Sequence, residues 1–347
     1  MTSESQCKKK ENNKNEDTLM QMIMGKVKTQ LIFVAAKLKI ADLLRDGEKS
    51  VEELADATST HSQTLYRILR SLASLGVFKE TAVRVFAMTP MAESLRSDHK
   101  DSVRALATFF GSEWHNSAWS HLLHNVQTGE CAFESVFKTN VFNYLNENPE
   151  EGEEFNDAMS SFSRLKASNI VEAYDFSNFE SLVDVGGGHG TLLKSILKPN
   201  PHLKGILFDM PSVVEGAAHL LEAEGLNRQC KIQGGDFFNS VPRGADAYIL
   251  KNIIHDWSDE MAGKILRNCR ESMVPGGKVL LAEAVIPDGN NPSTVKLMDI
   301  EMMVIPGGIE RTEGEYQILF SKAGLKLNRI IPTGAEISII EGVFGES

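Results

Sequence analysis

Cysteine is scarce in this 347-residue chain: Cys7, Cys131, Cys230 and Cys269 stand far apart, with no C-x-x-C pair and no neighbouring histidines. That excludes a disulfide framework and a zinc site built on local spacing, and fits a reducing, cytoplasmic setting. Long apolar runs are missing too. Nothing approaches the ~18 residues of a membrane span, so no membrane partner is expected. Residues 1–17 carry Lys8-Lys9-Lys10 but no apolar stretch, and read as a disordered tail rather than a signal peptide. Basic charge is also in short supply. A net charge of −11 has the wrong sign for a protein whose main partner is nucleic acid.

What is present is ordinary for a globular protein, with 42% apolar and 24% charged residues, and the length allows two domains. From Thr18 to Leu44 apolar residues recur at helical spacing. Leu31 to Ala36 is apolar on more than one face, which predicts a covering partner subunit and hence a homodimer. Ser50-Val-Glu-Glu53 is a capping box opening a helix. A second helix follows over Thr60–Leu75, stopped at Gly76, and then a hairpin through Val77-Phe78 and Val83–Ala87. This is a winged-helix pattern over residues 18–100, and winged helices often read DNA. Here six basic and six acidic side chains between residues 50 and 100 cancel, which favours dimerisation over DNA reading. Residues 101–178 read as a helical connector rich in aromatics. Phe155, Met159, Phe162 and Ser163 share one helix face there, either core or the wall of a substrate pocket.

From 179 to 347 strands and helices alternate, which predicts a doubly wound, Rossmann-like α/β sheet. Its last two strands, Lys326–Ile331 and Ile337–Ile340, form an antiparallel hairpin at one edge. The centre of this region is Asp184-x-Gly186-x-Gly188-x-Gly190, straight after the apolar run Leu182–Val185. As G-x-G-x-x-G it fails, because position 191 is Thr, and a pyrophosphate ligand is disfavoured. With an acid at the strand end it suits a ligand with a charged amino-acid end and a nucleoside, such as S-adenosylmethionine. Asp209 closes the next apolar run, roughly 20 residues on, where such folds place the carboxylate that grips a ribose. The third run is followed by Asp236-Phe237, an acid for an exocyclic amine and a ring to stack on adenine, with a structural capping Asp as the competing reading. After the fourth comes Lys251-Asn-Ile-Ile-His255-Asp256-Trp257. A histidine there, with Glu283 and Glu310 further on, has the composition of a base and its orienting carboxylates.

These motifs, with Phe208-Asp-Met210-Pro, Glu283-Ala-Val-Ile-Pro287 and Gly307-Gly-Ile-Glu-Arg-Thr312, occur in order over about residues 20–345. Together they resemble the S-adenosylmethionine-dependent, metal-independent O-methyltransferases of the caffeic acid, isoflavone and acetylserotonin type. In wording the N-terminal half is closer to bacterial secondary-metabolite members. The resemblance implies a cofactor site of Asp184, Gly186, Gly188, Asp209, Met210, Asp236, Phe237, Lys251 and Ser163. His255 would be the catalytic base, flanked by Glu283 and Glu310. Phe155, Met159, Phe162, Met302 and Met303 would wall the acceptor pocket, with Asp256 contacting the acceptor.

The expected activity is transfer of a methyl group from S-adenosylmethionine, leaving S-adenosylhomocysteine, to a hydroxyl of a small aromatic metabolite, with no metal. The plant phenylpropanoid members often have His where Phe162 stands, and the segment before Pro306-Gly-Gly is one residue shorter here. Both departures argue against a phenylpropanoid acceptor. Three alternatives stay open: a family member turned to hydroxylation or decarboxylation, a winged-helix regulator, and a nicotinamide dehydrogenase.

Overall fold

The computed structural model describes residues 15–345 apart from Glu224, with side chains for all of these except 163–166, 218–220 and 222–223. Most of the expected disordered tail, residues 1–14, lies outside the described residues. Residues 15–17 are already helical. The chain divides into two compact units, Met1–Asn116 and Ser117–Ser347.

In the first unit the helical pattern of residues 18–44 is three helices rather than one: α1 (15–23), α2 (Gly25–Lys37) and α3 (Ile40–Leu43). The second break is at Lys39, whose φ of 53° is left-handed and cannot continue a helix. Ala35, Ala36, Ile40, Ala41 and Leu44 enter the unit's core, whereas Leu19, Met20, Met22, Ile23, Met24 and Val27 are exposed. The strand β1 (Lys49–Ser50) leads into α4 (Val51–Thr58), and the capping box forms: Ser50 Oγ accepts from the Glu53 N–H and Glu53 accepts from the Ser50 N–H. Next come α5 (Ser62–Ser74), β2 (Phe78–Ala82) and β3 (Val85–Met88), in a sheet of order β1-β3-β2. The hairpin turns at Val83-Arg84, with Arg84 at φ 64°, so these residues are a turn and not strand. This helix–helix–hairpin arrangement is compatible with the winged-helix pattern. After α6 (Pro90–Glu93), α7 (Arg104–Gly111) packs on α2. The approach is close: a Cβ at Gly111 would sit 2.2 Å from Phe33 Cβ.

The helix α8 (Glu113–Trp119) straddles the division. The second unit continues with α9 (Leu122–Thr128), α10 (Ala132–Phe137), α11 (Val141–Glu147) and the long α12 (Pro149–Ala173). Then come β4 (Ser181–Val185), α13 (Thr191–Leu197), β5 (Lys204–Asp209), α14 (Pro211–Ala223), β6 (Cys230–Gly234) and β7 (Ala247–Lys251). The chain closes with α15 (Asp259–Ser272), β8 (Lys278–Ala284), α16 (Thr294–Val304), α17 (Glu313–Lys322), β9 (Leu325–Pro332) and β10 (Ile337–Phe344). The seven strands lie in the order β6-β5-β4-β7-β8-β10-β9, with the first five parallel and the final hairpin antiparallel at one edge, as expected.

Alternate residues feed cores on opposite faces. Leu182, Leu280 and Ala282 join one cluster; Val183, Val185, Val279 and Leu281 join the other. Covering both faces is what makes these strands read as unbroken apolar runs. The inserted hairpin is pinned by Glu341, which is fully buried and accepts from Tyr174 Oη at 2.5 Å and Lys278 Nζ at 2.9 Å, and also from Arg329 and Asn328. Burial opposes its ionisation, but these donors prevail and hold the carboxyl down at about 2.

For function the decisive feature is the reversal at β4. The chain moves outward through β5 and β6, then crosses back to place β7 on the other side of β4. A doubly wound sheet opens a ligand crevice at such a switch point, beyond the carboxyl ends of the strands.

Candidate active site

The loop after β4 is shaped by glycine. Gly186, Gly188 and Gly190 have φ of 69°, 57° and 75°, a region other residues occupy only with strain. A Cβ at Gly186 would lie 2.4 Å from Ile253 Cδ1, whereas one at Gly188 would point into open space. The turn therefore packs tightly on the β7 loop and leaves its other side clear. Beneath it Asp184 is 1% exposed, with Oδ2 lacking any hydrogen-bond partner among the described residues. Burial pushes its carboxyl up to about 7, with nearby Lys251 opposing the rise and Asp209 adding to it.

Asp209 ends β5 and turns back to this loop. Its Oδ2 accepts from the Gly188 N–H at 2.8 Å and its Oδ1 from the Met210 N–H at 2.7 Å. Burial raises its pKa, against those two hydrogen bonds. Asp236 is exposed and occupied with its own turn, accepting from the Phe238 N–H and Asn239 Nδ2, both at 2.8 Å. Phe237 is half-buried, its ring edge-on to Phe238 and Trp257. The side chain of Ser163 lies outside the described residues. The glycine cradle, the orphaned buried acid and the carboxylate at the next strand end fit an elongated ligand carrying an amino-acid end and a ribose.

On the other side of β4, a single 3-10 turn (Ile254–Asp256) carries His255, 7% exposed. Its Nδ1 lies 2.8 Å from Glu310 Oε1 and 3.5 Å from Glu283 Oε2, while Nε2 lies 3.6 Å from Asp256 Oδ1. An ionised carboxylate only accepts, so Nδ1 carries the proton. Burial favours the neutral ring, but the charges of Glu283, Asp256 and Glu310 prevail and push its pKa up to about 10. Burial, together with Glu283 and Glu310, lifts Asp256 to about 7 despite the opposing His255 and Lys251. Glu283 is aimed by its backbone neighbours: its Oε1 accepts from the Ile253 and Ile254 N–H groups at 2.9 and 2.8 Å. Glu283 Oε2 and Glu310 Oε2 are buried without a hydrogen-bond partner among the described residues. His255, Glu283 and Glu310 also bring one nitrogen or oxygen each within 4.8 Å of one another, close enough to hold a metal ion. Local spacing gave no sign of a metal site, because the fold assembles these groups from the 3-10 turn, the end of β8 and the loop before α17.

Two residues that carried no role in the sequence reading hold this loop in place. Arg311, 1% exposed, donates to the carbonyls of Ile254, Trp257 and Ile309 at 2.9–3.2 Å and pairs with Asp259 at 3.0 Å. Gly308 passes against the His255 backbone, where the Ile309 N–H donates to the His255 carbonyl at 2.7 Å. Trp257 stacks on Phe142 with ring centroids 5.4 Å apart. Among the expected pocket residues, Phe155, Met159 and Phe162 are half-buried along α12, Met303 is half-buried and Met302 is buried on α16. The Met302 carbonyl accepts from the Gly308 N–H, tying α16 to the loop that packs on His255.

An O-methyltransferase domain model matches residues 119–326, and an O-methyltransferase dimerisation domain model matches residues 20–98. The chain belongs to the O-methyltransferase family. Among similar proteins, the phenazine O-methyltransferase PhzM of Lysobacter antibioticus is 46% identical, covering 93% of this chain and 94% of its own. The mitomycin biosynthesis 6-O-methyltransferase of Streptomyces lavendulae is 38% identical, covering 94% of each. A crystal structure of LaPhzM superposes with a TM-score of 0.92 at 45% identity, covering 95% of this chain and 99% of that one. Human N-acetylserotonin methyltransferase, solved with S-adenosylmethionine, superposes with a TM-score of 0.87 at 26% identity, covering 96% and 98%. This O-methyltransferase is thus akin to enzymes of bacterial secondary metabolism, some of which, such as a phenazine-1-carboxylate N-methyltransferase of Pseudomonas aeruginosa at 31% identity, methylate nitrogen. Among the described residues, no helix is long and apolar enough to cross a membrane.

Proposed function

We propose that this O-methyltransferase moves the methyl group of S-adenosylmethionine to a phenolic hydroxyl on a planar, fused-ring secondary metabolite, with His255 as the catalytic base. The observation that carries this reading is the imidazole held at Nδ1 by Glu310, 2.8 Å away, with Nε2 on the opposite side of the ring. When bound, the cofactor supplies an electrophilic methyl carbon on a sulfonium.

The residues of the chain do the rest. Asp184 and the Gly186–Gly188 turn take the amino-acid end, Asp209 the ribose, and Asp236, Phe237, Met210, Lys251 and Ser163 the remainder of the cofactor. Phe155, Met159, Phe162, Met302 and Met303 wall the acceptor, and Asp256 contacts it. A phenol of pKa near ~10 is mostly protonated at neutral pH, so removing its proton creates the nucleophile. Glu283 and Glu310 orient the ring and balance the imidazolium. The chemistry calls for no metal. The dimerisation domain and the exposed apolar residues of α1 support a homodimer, and the cysteine pattern supports a cytoplasmic setting.

The test is a screen of hydroxylated fused-ring aromatics, hydroxyphenazines first, with a labelled methyl donor. His255→Ala is expected to bind S-adenosylhomocysteine as wild type does and to lose about 10²–10⁴-fold in turnover. Turnover within a few-fold of wild type would remove His255 as base. Labelled amines and no labelled ethers would move the reading to nitrogen acceptors.

A further inference from the structure

The peptide group between Ile309 and Glu310 is held on both edges. Its carbonyl accepts from Arg311 Nη1 at 3.2 Å, and its N–H, that of Glu310, donates to Asp299 Oδ1 at 3.0 Å. Glu310 is buried, so its N–H, deprived of that acceptor, would have to turn toward another. The plane of this peptide sets the direction in which the Glu310 side chain leaves the backbone. It therefore sets where the carboxylate meets His255 Nδ1, 2.8 Å away. Asp299 lies on α16, the helix whose Met302 and Met303 are proposed to wall the acceptor.

α16 is a firm support for such a bond, because the preceding helices grip it from outside. Trp119 Nε1 donates to Glu301 Oε2 at 2.7 Å, Asn125 Nδ2 to the Met303 carbonyl at 3.3 Å, and Cys131 Sγ to the Ile305 carbonyl at 3.4 Å. With the Gly308 N–H on the Met302 carbonyl at 2.9 Å, helix and loop are joined at two points.

We propose that Asp299 is a positioning residue for methyl transfer: by accepting the Glu310 N–H it aims the Glu310 carboxylate at His255, so that the helix walling the acceptor also sets the base. This rests on the reading of His255 as base and adds the group that aligns it. Asp299 acts through Glu310, and what the site needs from it is an oxygen, not a charge. Burial and the nearby Glu310 and Glu315 favour its protonated form, with Arg311 opposing, so a negative charge here gains little. An asparagine offers the same accepting oxygen without the charge.

The experiment compares Asp299→Ala and Asp299→Asn with wild type, with 1-hydroxyphenazine as acceptor. Asp299→Ala should lower kcat at least 10-fold, with the acceptor KM within about 3-fold and S-adenosylhomocysteine affinity within about 2-fold of wild type. Asp299→Asn should keep at least about a third of wild-type kcat. A second readout needs no turnover. The Nδ1 proton shared with Glu310 should give a far-downfield proton resonance, identified by its loss in His255→Gln, that persists in Asp299→Asn and shifts or disappears in Asp299→Ala. A fall confined to KM, equal losses in the two variants, or a resonance unmoved by Asp299→Ala would overturn the inference and leave the methyltransferase reading intact. A 10-fold loss of kcat in Asp299→Asn would overturn it whatever becomes of Asp299→Ala. Failure of wild type that binds S-adenosylhomocysteine to methylate 1-hydroxyphenazine would count against the phenolic reading, and the resonance would then decide this inference alone.

Discussion

A Cβ placed on Gly308 would lie 2.0 Å from the carbonyl oxygen of His255. The loop bearing Glu310 therefore has to pass against the loop bearing His255 with no side chain between them. Gly308→Ala should push the two apart and lengthen the His255–Glu310 hydrogen bond. The expected result is at least a 10-fold fall in kcat, with S-adenosylhomocysteine affinity within about 2-fold of wild type, because the clash falls on the His255 and Asp256 backbone and not on Ile253, which packs on the glycine turn. Comparing single-turnover rates with calorimetric binding checks it, and a joint loss of both would place the damage elsewhere.

Arg311 bridges the two loops from below. Replacing it with Met leaves the Ile254, Trp257 and Ile309 carbonyls without this donor and Asp259 without this partner. The cost should be roughly 3 kcal/mol, read as a lower denaturant midpoint. Turnover should fall too, since the 3-10 turn holding His255 loses its clamp.

Asp209 holds the glycine turn through the Gly188 N–H and its own strand end through the Met210 N–H, as well as being the proposed ribose ligand. Asp209→Ala should weaken S-adenosylhomocysteine at least about 30-fold, or roughly 2 kcal/mol. Calorimetric titration reads this, and an unchanged dissociation constant would reject the assignment.

Glu341 gives stability a defined pH dependence. Its carboxyl is depressed in the folded chain to about 2, below an ordinary glutamate, so the folded state binds fewer protons than the unfolded one through the acid range. The stabilisation is complete above the ordinary glutamate pKa near ~4.3 and is lost as pH falls toward 2. Glu341→Gln should cost about 2–3 kcal/mol at pH 7, and the difference from wild type should shrink across that window. A difference that stays constant from pH 7 to pH 3 would mean the network acts by packing and not by charge.

The strands were legible because each is buried on both faces and so appears as an apolar run closed by a polar residue at the crevice. Asp184, Asp209 and His255 stood at those ends, where topology makes polar residues meaningful. Other features were hidden for physical reasons. Lys39 has no sequence mark of left-handed backbone, so the break after α2 was not visible. Arg311 reads in sequence as one more surface charge, and only the fold shows it buried among carbonyls. Asp236 could be read as ligand or as cap; the structure shows the capping bonds, which leave a ligand role to be tested. The protonation of His255 depends on how Asp256 beside it, Glu283 at the end of β8 and Glu310 on the loop before α17 converge, which no local pattern encodes.

The reversal of the chain at β4 has a practical meaning for anyone wishing to redirect this enzyme. Groups proposed to hold the methyl donor lie at or just after the ends of β4, β5 and β6, while those proposed to handle the acceptor's proton lie just after β7, at the end of β8 or before α17. On the proposed roles, the two tasks fall on different halves of one sheet and share few side chains, with Lys251 the main exception. New acceptors can therefore be sought by varying α12 and α16 against a fixed donor half, in libraries whose members are first sorted by retained S-adenosylhomocysteine binding.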